Sequence, residues 1–120
     1  MTLESAARNA ACNGVVDLLN SGDVQFQTSG GDEVATCVFG ATAFGDAAAG
    51  VATANAITAD PHAAGGTIGK AVLRTSAGAT LATLTVTAVG GGGDIEITSL
   101  AIGVGDSVSI SSLTVTQPAS

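Results

Sequence analysis

The stretch TLATLTVTAVGGGGDIEITSLAIGVGDSVSISSLTVTQP, Thr80 to Pro118, decides how the rest of this sequence is read. Apolar and hydroxyl side chains alternate through three runs separated by glycine-rich turns. In the first run Leu84, Val86 and Ala88 fall on one side and Thr83, Thr85 and Thr87 on the other, the period-two signature of a strand with one buried face. Ile95 and Ile97 then oppose Glu96 and Thr98. After the turn Gly103-Val104-Gly105-Asp106, Val108 and Ile110, followed by Leu113 and Val115, alternate with serines and threonines. The pattern predicts a β-meander on which the remainder packs. Leu81 has odd parity where Leu84, Val86 and Ala88 are even, and Val108 and Ile110 are even where Leu113 and Val115 are odd. A bulge or bend near Ala82 and another near Ser111-Ser112 reconcile both, as where a strand passes between the two sheets of a sandwich.

Upstream, Asp23–Thr28 and Glu33–Phe39 are strand candidates joined by Ser29-Gly30-Gly31-Asp32, a strong hairpin signal. The second is apolar on both sides, so it is either central in the sheet or covered by the N-terminal helix. Gly40–Gly50 reads as an Ala/Gly-rich loop anchored by Phe44. Val51–Thr58 and Thr67–Arg74 resume alternation on either side of the breaker cluster Ala59–Gly66, which reads as a flexible surface loop. Gly90–Gly93 resembles a phosphate loop only superficially: no helix carrying Lys and Ser/Thr follows it, and a flexible hairpin turn is expected.

Thr2–Asn20 is the one substantial helix. Thr2 can cap it and Asn20-Ser21-Gly22 supplies the stop. Leu3, Ala7, Ala10, Ala11, Val15, Leu18 and Leu19 recur at helical spacing, against a polar side of Glu4, Arg8, Asn13 and Asp17. The apolar side is expected to pack on the sheet or on a neighbouring subunit. The fold class is therefore mainly β: an antiparallel β-sandwich or jelly-roll-like domain (23–120) with one N-terminal α-helix (1–22), a single domain overall.

The composition narrows the function. Of 120 residues 46% are hydrophobic but only 2% aromatic, so the core is built from small aliphatic side chains and is thin. A net charge of -7, with Arg8, Lys70 and Arg74 as the only cations, excludes a basic stripe for nucleic acid, and three Phe without Trp or Tyr supply no stacking platform. Mean hydropathy is +0.50. The uncharged window Thr75–Gly93 nevertheless holds five Gly and five Thr and alternates at period two, unlike a membrane-spanning helix. With Glu4 and Arg8 near the start, no signal-peptide pattern is read and the chain is expected to be made in the cytoplasm. Cys12 and Cys37 show no metal or redox spacing and are either two buried thiols or a disulfide.

Five carboxylates follow glycine: Asp23, Asp32, Asp46, Asp94 and Asp106. They are either ordinary Gly-Asp turn chemistry or, if their loops converge, a calcium site; the turn reading is preferred. His62, beside Asp60 and Pro61, has no nucleophile or orienting group in its sequence context and reads as an exposed loop residue. Lys70 and Arg74, four apart, share one face of a strand and pair either with carboxylates of the domain or with an acidic partner. No catalytic residue, cofactor site or metal site is read. The candidate partner contacts are Leu3 and Arg8 on the helix, Asp60, Pro61 and His62 in the breaker loop, Lys70 and Arg74, and Gln117 and Pro118 in the tail.

The opening Thr2-Leu3-Glu4-Ser5-Ala6-Ala7-Arg8-Asn9-Ala10 with Val15–Gly22, the segment Phe44–Thr58, and the ending Gly105–Thr116 resemble small Ala/Thr/Gly-rich structural proteins of tailed bacteriophages. The similarity runs through most of the chain in segments and is weaker between Gly65 and Leu84. It implies a virion component of the head decoration or cement type, bound to the outside of the major capsid protein lattice and self-associating, as in a trimer at a three-fold position. The family motifs are structural and supply no functional residues. A tail-fibre or receptor-binding module is the alternative within virion proteins, disfavoured by the scarcity of aromatic side chains. A small calcium-dependent binding domain or hydrolase is the alternative of another class.

Overall fold

The computed structural model describes residues 2–110 and 113–117. The chain forms one helix, α1 (Ser5–Asp17), and eleven short strands among these residues. In order they are β1 (Asp23–Gln27), β2 (Glu33–Phe39), β3 (Val51–Thr53), β4 (Ile57–Thr58), β5 (Gly66–Thr67) and β6 (Lys70–Arg74). Then follow β7 (Thr80–Leu84), β8 (Val86–Ala88), β9 (Ile95–Ile97), β10 (Ala101–Ile102) and β11 (Thr114–Thr116). The fold is mainly β with one helix and chiefly antiparallel pairing, as the alternation predicts.

The backbone of the structure is a five-stranded sheet in the order β4-β2-β1-β6-β7, every neighbour antiparallel. Cross-strand register puts Val24 between Cys37 and Leu73, and Phe26 between Ala35 and Ala71. These six side chains share one face and are almost fully buried. On the other face Asp23 lies between Val38 and Arg74, Gln25 between Thr36 and Val72, and Gln27 between Glu33 and Lys70. The sheet is thus amphipathic, apolar toward the core and mostly polar outward. The hairpin reads as predicted: the Thr28 N–H donates to the Asp32 carbonyl, and the Asp32 N–H to Thr28 Oγ1. β2 is an interior strand, with β4 at the edge on one side and β1, the middle strand of the five, on the other. The expected slip near Ala82 is present. Leu73 pairs with Ala82 and Arg74 with Thr80, leaving Leu81 as the extra residue of a bulge. Leu81, Ala82 and Leu84 all pack against the core despite their parity. The second expected slip, at Ser111-Ser112, lies outside the described residues.

The meander does not form. Only β7 of the C-terminal third joins the large sheet; β10 pairs with β5, β11 with β3, and β8 with β9 in parallel. The expected hairpin at Gly90–Gly93 is instead a loop that carries the chain back to the start of its own strand pair. Gly90 and Gly92 have φ of +91° and +81°. Their N–H groups donate to the two carboxylate oxygens of Glu96, at 3.2 and 3.1 Å. A concave set of backbone donors of this kind attracts an anion; here the anion is the chain's own side chain. The Val51–Thr58 run also divides, β3 pairing with β11 and β4 with β2. The run from Thr67 breaks at Gly69, whose backbone approaches Ser29 too closely for a side chain.

The core is one cluster joining Val24, Phe26, Cys37 and Leu73 of the sheet to Cys12, Val16 and Leu19 of the helical segment and to Ala52, Ile95, Val108 and Leu113 of the ribbons. Both cysteines are free, buried thiols, not a disulfide. Cys12 Sγ donates to the Val115 carbonyl at 3.3 Å and Cys37 Sγ to the Val108 carbonyl at 3.4 Å. Burial pushes the Cys37 thiol above its ordinary value of 9.0, and the nearby Asp60 charge adds to the rise, while an Asp60 hydrogen bond opposes it. The folded chain then keeps a proton that the unfolded chain releases. The stability this contributes is complete below pH 9.0 and is lost as the pH climbs through the raised value. Two results are expected: neither thiol reacts with an aromatic disulfide reagent until denaturant unfolds the chain, and urea midpoints fall above pH 9 more steeply for the wild type than for Cys37→Ala.

Candidate docking surface

Of the residues whose spacing predicts an apolar side, only Leu19 is buried and Leu3 half-buried; the helix is turned so that the other five face outward. Turned inward are Cys12, Val16 and Leu19, all buried, with Arg8, Asn9 and Asn13 half-buried beside them. Ala7, Ala10, Ala11, Val15 and Leu18 are exposed, Leu18 to 55% and Val15 to 37%. Helical geometry places Ala7, Ala11, Gly14 and Leu18 along the centre of this outer face, with Ala10 and Val15 flanking them, Asp17 at one border and Glu4 at the N-terminal end. The helix begins at Ser5 with Glu4 as N-cap and no side-chain cap, so Thr2 does not cap it.

This orientation follows from the loop beneath. Gly40–Gly50 contains no regular strand, so its N–H groups need acceptors from elsewhere. Three asparagines supply them: Ala43 N–H donates to Asn20 Oδ1, Ala47 N–H to Asn13 Oδ1 and Gly50 N–H to Asn9 Oδ1, each at 2.8 Å. Orphaning such donors costs about 1–3 kcal/mol each. Turning the helix over to bury Leu18 in place of Leu19 offers no such compensation, since one leucine exchanges for another. Arg8 joins the same seam, its Nε donating to the Gln117 carbonyl at 3.2 Å while Gln117 N–H donates to the Gly50 carbonyl at 2.7 Å. Gly50, at φ +78°, is required here, because a Cβ would lie 2.8 Å from both the Arg8 guanidinium and the Gln117 carbonyl oxygen.

The sequence-derived contact residues do not converge on one surface. Leu3 is half-buried ahead of α1, and Arg8 and Gln117 meet at the helix–tail seam. Pro118 lies outside the described residues. Asp60 is structural: its carboxylate accepts from Thr36 N–H at 2.9 Å and His62 N–H at 3.0 Å, and its backbone exchanges two hydrogen bonds with Val108. With Ala63 bonded to Asp106 and Gly105, and Gly65 bonded to Val34, the expected flexible loop is fastened along its length. Pro61 and His62 remain exposed at its tip. Lys70 and Arg74 share the polar sheet face as predicted. Arg74 is held by Asp23 in a two-pronged pair, Nε to Oδ1 at 2.7 Å and Nη2 to Oδ2 at 2.9 Å. This hydrogen bonding raises the guanidinium pKa above its already high value. Lys70 stands opposite Gln27 and makes no ion pair with a described residue.

Three of the five Gly-Asp carboxylates serve their own turns and strands. Asp106 Oδ2 accepts from Gly103 N–H and Asp94 Oδ2 from Thr85 N–H, while Asp23 pairs with Arg74. Among the described residues no group of three or more His, Cys, Asp or Glu could hold a metal ion, and no helix is long and apolar enough to cross a membrane. Beside Val15 a cavity of about 480 Å³ opens between α1, the core face of β6 and β7, and β11. Compared with known proteins, the chain matches no family model, no curated protein and no solved structure.

The outer helix face escapes a reading of the sequence because alanine contributes to an apolar pattern while burying little area, so spacing alone does not tell which side is inward. Substitution separates the two sides. Asn13→Ala is expected to lower unfolding free energy by about 1–2 kcal/mol through the orphaned Ala47 N–H. Leu18→Ser is expected to change it by no more than about 0.5 kcal/mol. Urea denaturation of both variants checks this, and a packed Leu18 would reverse the order.

Proposed function

We propose that this protein is a non-enzymatic structural component of a bacteriophage virion, a decoration or cement protein that docks on the outside of the major capsid lattice through the outer face of α1. The observation that carries the reading is the exposed row Ala7, Ala11, Val15 and Leu18 on a helix whose asparagines face inward. Small side chains along its centre let another backbone come close, Leu18 and Val15 supply area, and Glu4 and Asp17 favour a partner with cations at the rim. The resemblance of the opening, middle and closing segments to phage virion proteins supports the choice of a capsid as that partner.

The stabilising mechanism is linkage. A domain that binds assembled shell in preference to free subunits shifts the assembly equilibrium toward shell by the free energy of that preference. Closed self-association, as in a trimer over a three-fold position, multiplies modest contacts through high effective concentration. On this reading the protein resides on the capsid surface and is made in the host cytoplasm.

The experiment is co-sedimentation of purified protein with decoration-free phage heads, against dissociated capsid subunits, tails and host cells. Saturable binding to heads alone is expected, with Leu18→Glu weakening it by about tenfold or more at unchanged stability. Binding to tails or cells in place of heads overturns the decoration reading, and undiminished binding by Leu18→Glu overturns the helix as the contact.

A further inference from the structure

β7 is the outer strand of the five-stranded sheet, hydrogen-bonded along its length to β6 and, among the described residues, to no strand on its other side. Exposed strand edges are normally guarded by charge, proline or distortion. Thr80-Leu81-Ala82-Thr83-Leu84 has no charged residue and no proline, only the bulge at Leu81. Ala82 and Leu84 of this strand line the cavity of about 480 Å³ with Leu73, Val15 and Val115, and its remaining wall is Gly93, Asp94, Thr114 and Thr116. An unpaired ladder and a recess with an apolar wall beside the same strand are what an added strand requires: backbone partners along one edge, and room for alternate side chains on one face.

We infer that β7 and this cavity form a strand-accepting site, occupied by an extended segment of another protein that pairs with β7, sets alternate apolar side chains into the recess and brings a lysine or arginine to Asp94. The cation follows from the electrostatics of the site. Among the described residues Asp94 is the only ionisable group in the lining, and its Oδ2 takes the bonds from Thr85 N–H and Oγ1. Charge also disfavours a second copy of this chain. The net charge is -7, Arg74 is paired with Asp23, Arg8 is bonded to the Gln117 carbonyl, and Lys70 stands on the sheet face away from Leu73 and the cavity, so self-pairing at β7 brings Asp94 no cation on the recess side. The site shares Val15 with the outer helix face but does not depend on the partner being a capsid.

The probe is the peptide acetyl-Lys-Thr-Val-Thr-Val-Thr-Lys-amide, added to the full chain while backbone amide signals of Leu81 to Leu84 are followed by NMR. Saturable shifts at these amides and slowed hydrogen exchange are expected by about 1 mM peptide. A peptide with both lysines replaced by glutamate should bind about fivefold more weakly, the difference shrinking in high salt. A peptide with proline at its centre should not bind, because its ring removes a ladder donor. Asp94→Asn, which keeps the side chain's shape, should erase the preference for lysine over glutamate while retaining the β7 shifts. The inference is overturned if the lysine peptide leaves Leu81 to Leu84 unmoved, if the proline peptide binds equally, or if the same amides become protected by concentration of the protein alone.

Discussion

The structure depends on finding hydrogen-bond partners for a backbone that is largely irregular. Outside the five-stranded sheet the strands are two or three residues long, and the loops between them carry many N–H groups with no ladder to join. The asparagines at 9, 13 and 20 take three of these, Glu96 takes two, and Asp60 takes one at His62 while also accepting from Thr36 of β2. The polar side chains of this protein are thus engaged largely by its own main chain. That accounts for carboxylates that are numerous yet do not gather, and for an apolar side of the helix that is left facing outward.

What could be read from the sequence divides along the range of the interactions. The hairpin at Ser29–Asp32 was legible because Gly-Gly-Asp turn chemistry is local, and the bulge at Leu81 because one extra residue is the simplest way to absorb a parity break in an alternating run. The shared face of Lys70 and Arg74 was legible because residues four apart on a strand point the same way. The pairing of β11 with β3 and of β10 with β5 was not, since runs of two or three alternating residues specify a face but not a partner. The orientation of the helix was not legible either. It is decided by Asn13 meeting Ala47 and Asn9 meeting Gly50 across long sequence separations, and no helical periodicity encodes that.

The glycine loop at 90–93 obeys the same rule on a smaller scale. Its composition predicts a hairpin turn and not an anion cradle. The loop does present N–H donors to an anion, but the anion is Glu96, two residues beyond Asp94, and the loop closes a parallel pair in place of a hairpin. A glycine-rich turn followed closely by a glutamate therefore need not leave its donors for a ligand: the tethered carboxylate is present at high effective concentration and occupies them first.

A sequence that satisfies its backbone this thoroughly makes its exceptions informative. Local choices in a foldable chain tend to agree with the global structure, and disagreements collect where the protein meets something else. Two disagreements stand out: the apolar side of α1 faces solvent, and β7, uncharged and unpaired along one edge, lies beside a recess with an apolar wall. Val15 is common to both, exposed on the helix and part of the recess wall. Leu18 and Val15 could have been polar at little cost to the fold, because neither is buried, and a lysine in place of Thr83 would have guarded the edge. That these positions are apolar or neutral on a chain with a net charge of -7 is not required by packing. The proposed partner binding at the helix face and at the β7 edge would supply the reason that the isolated fold does not.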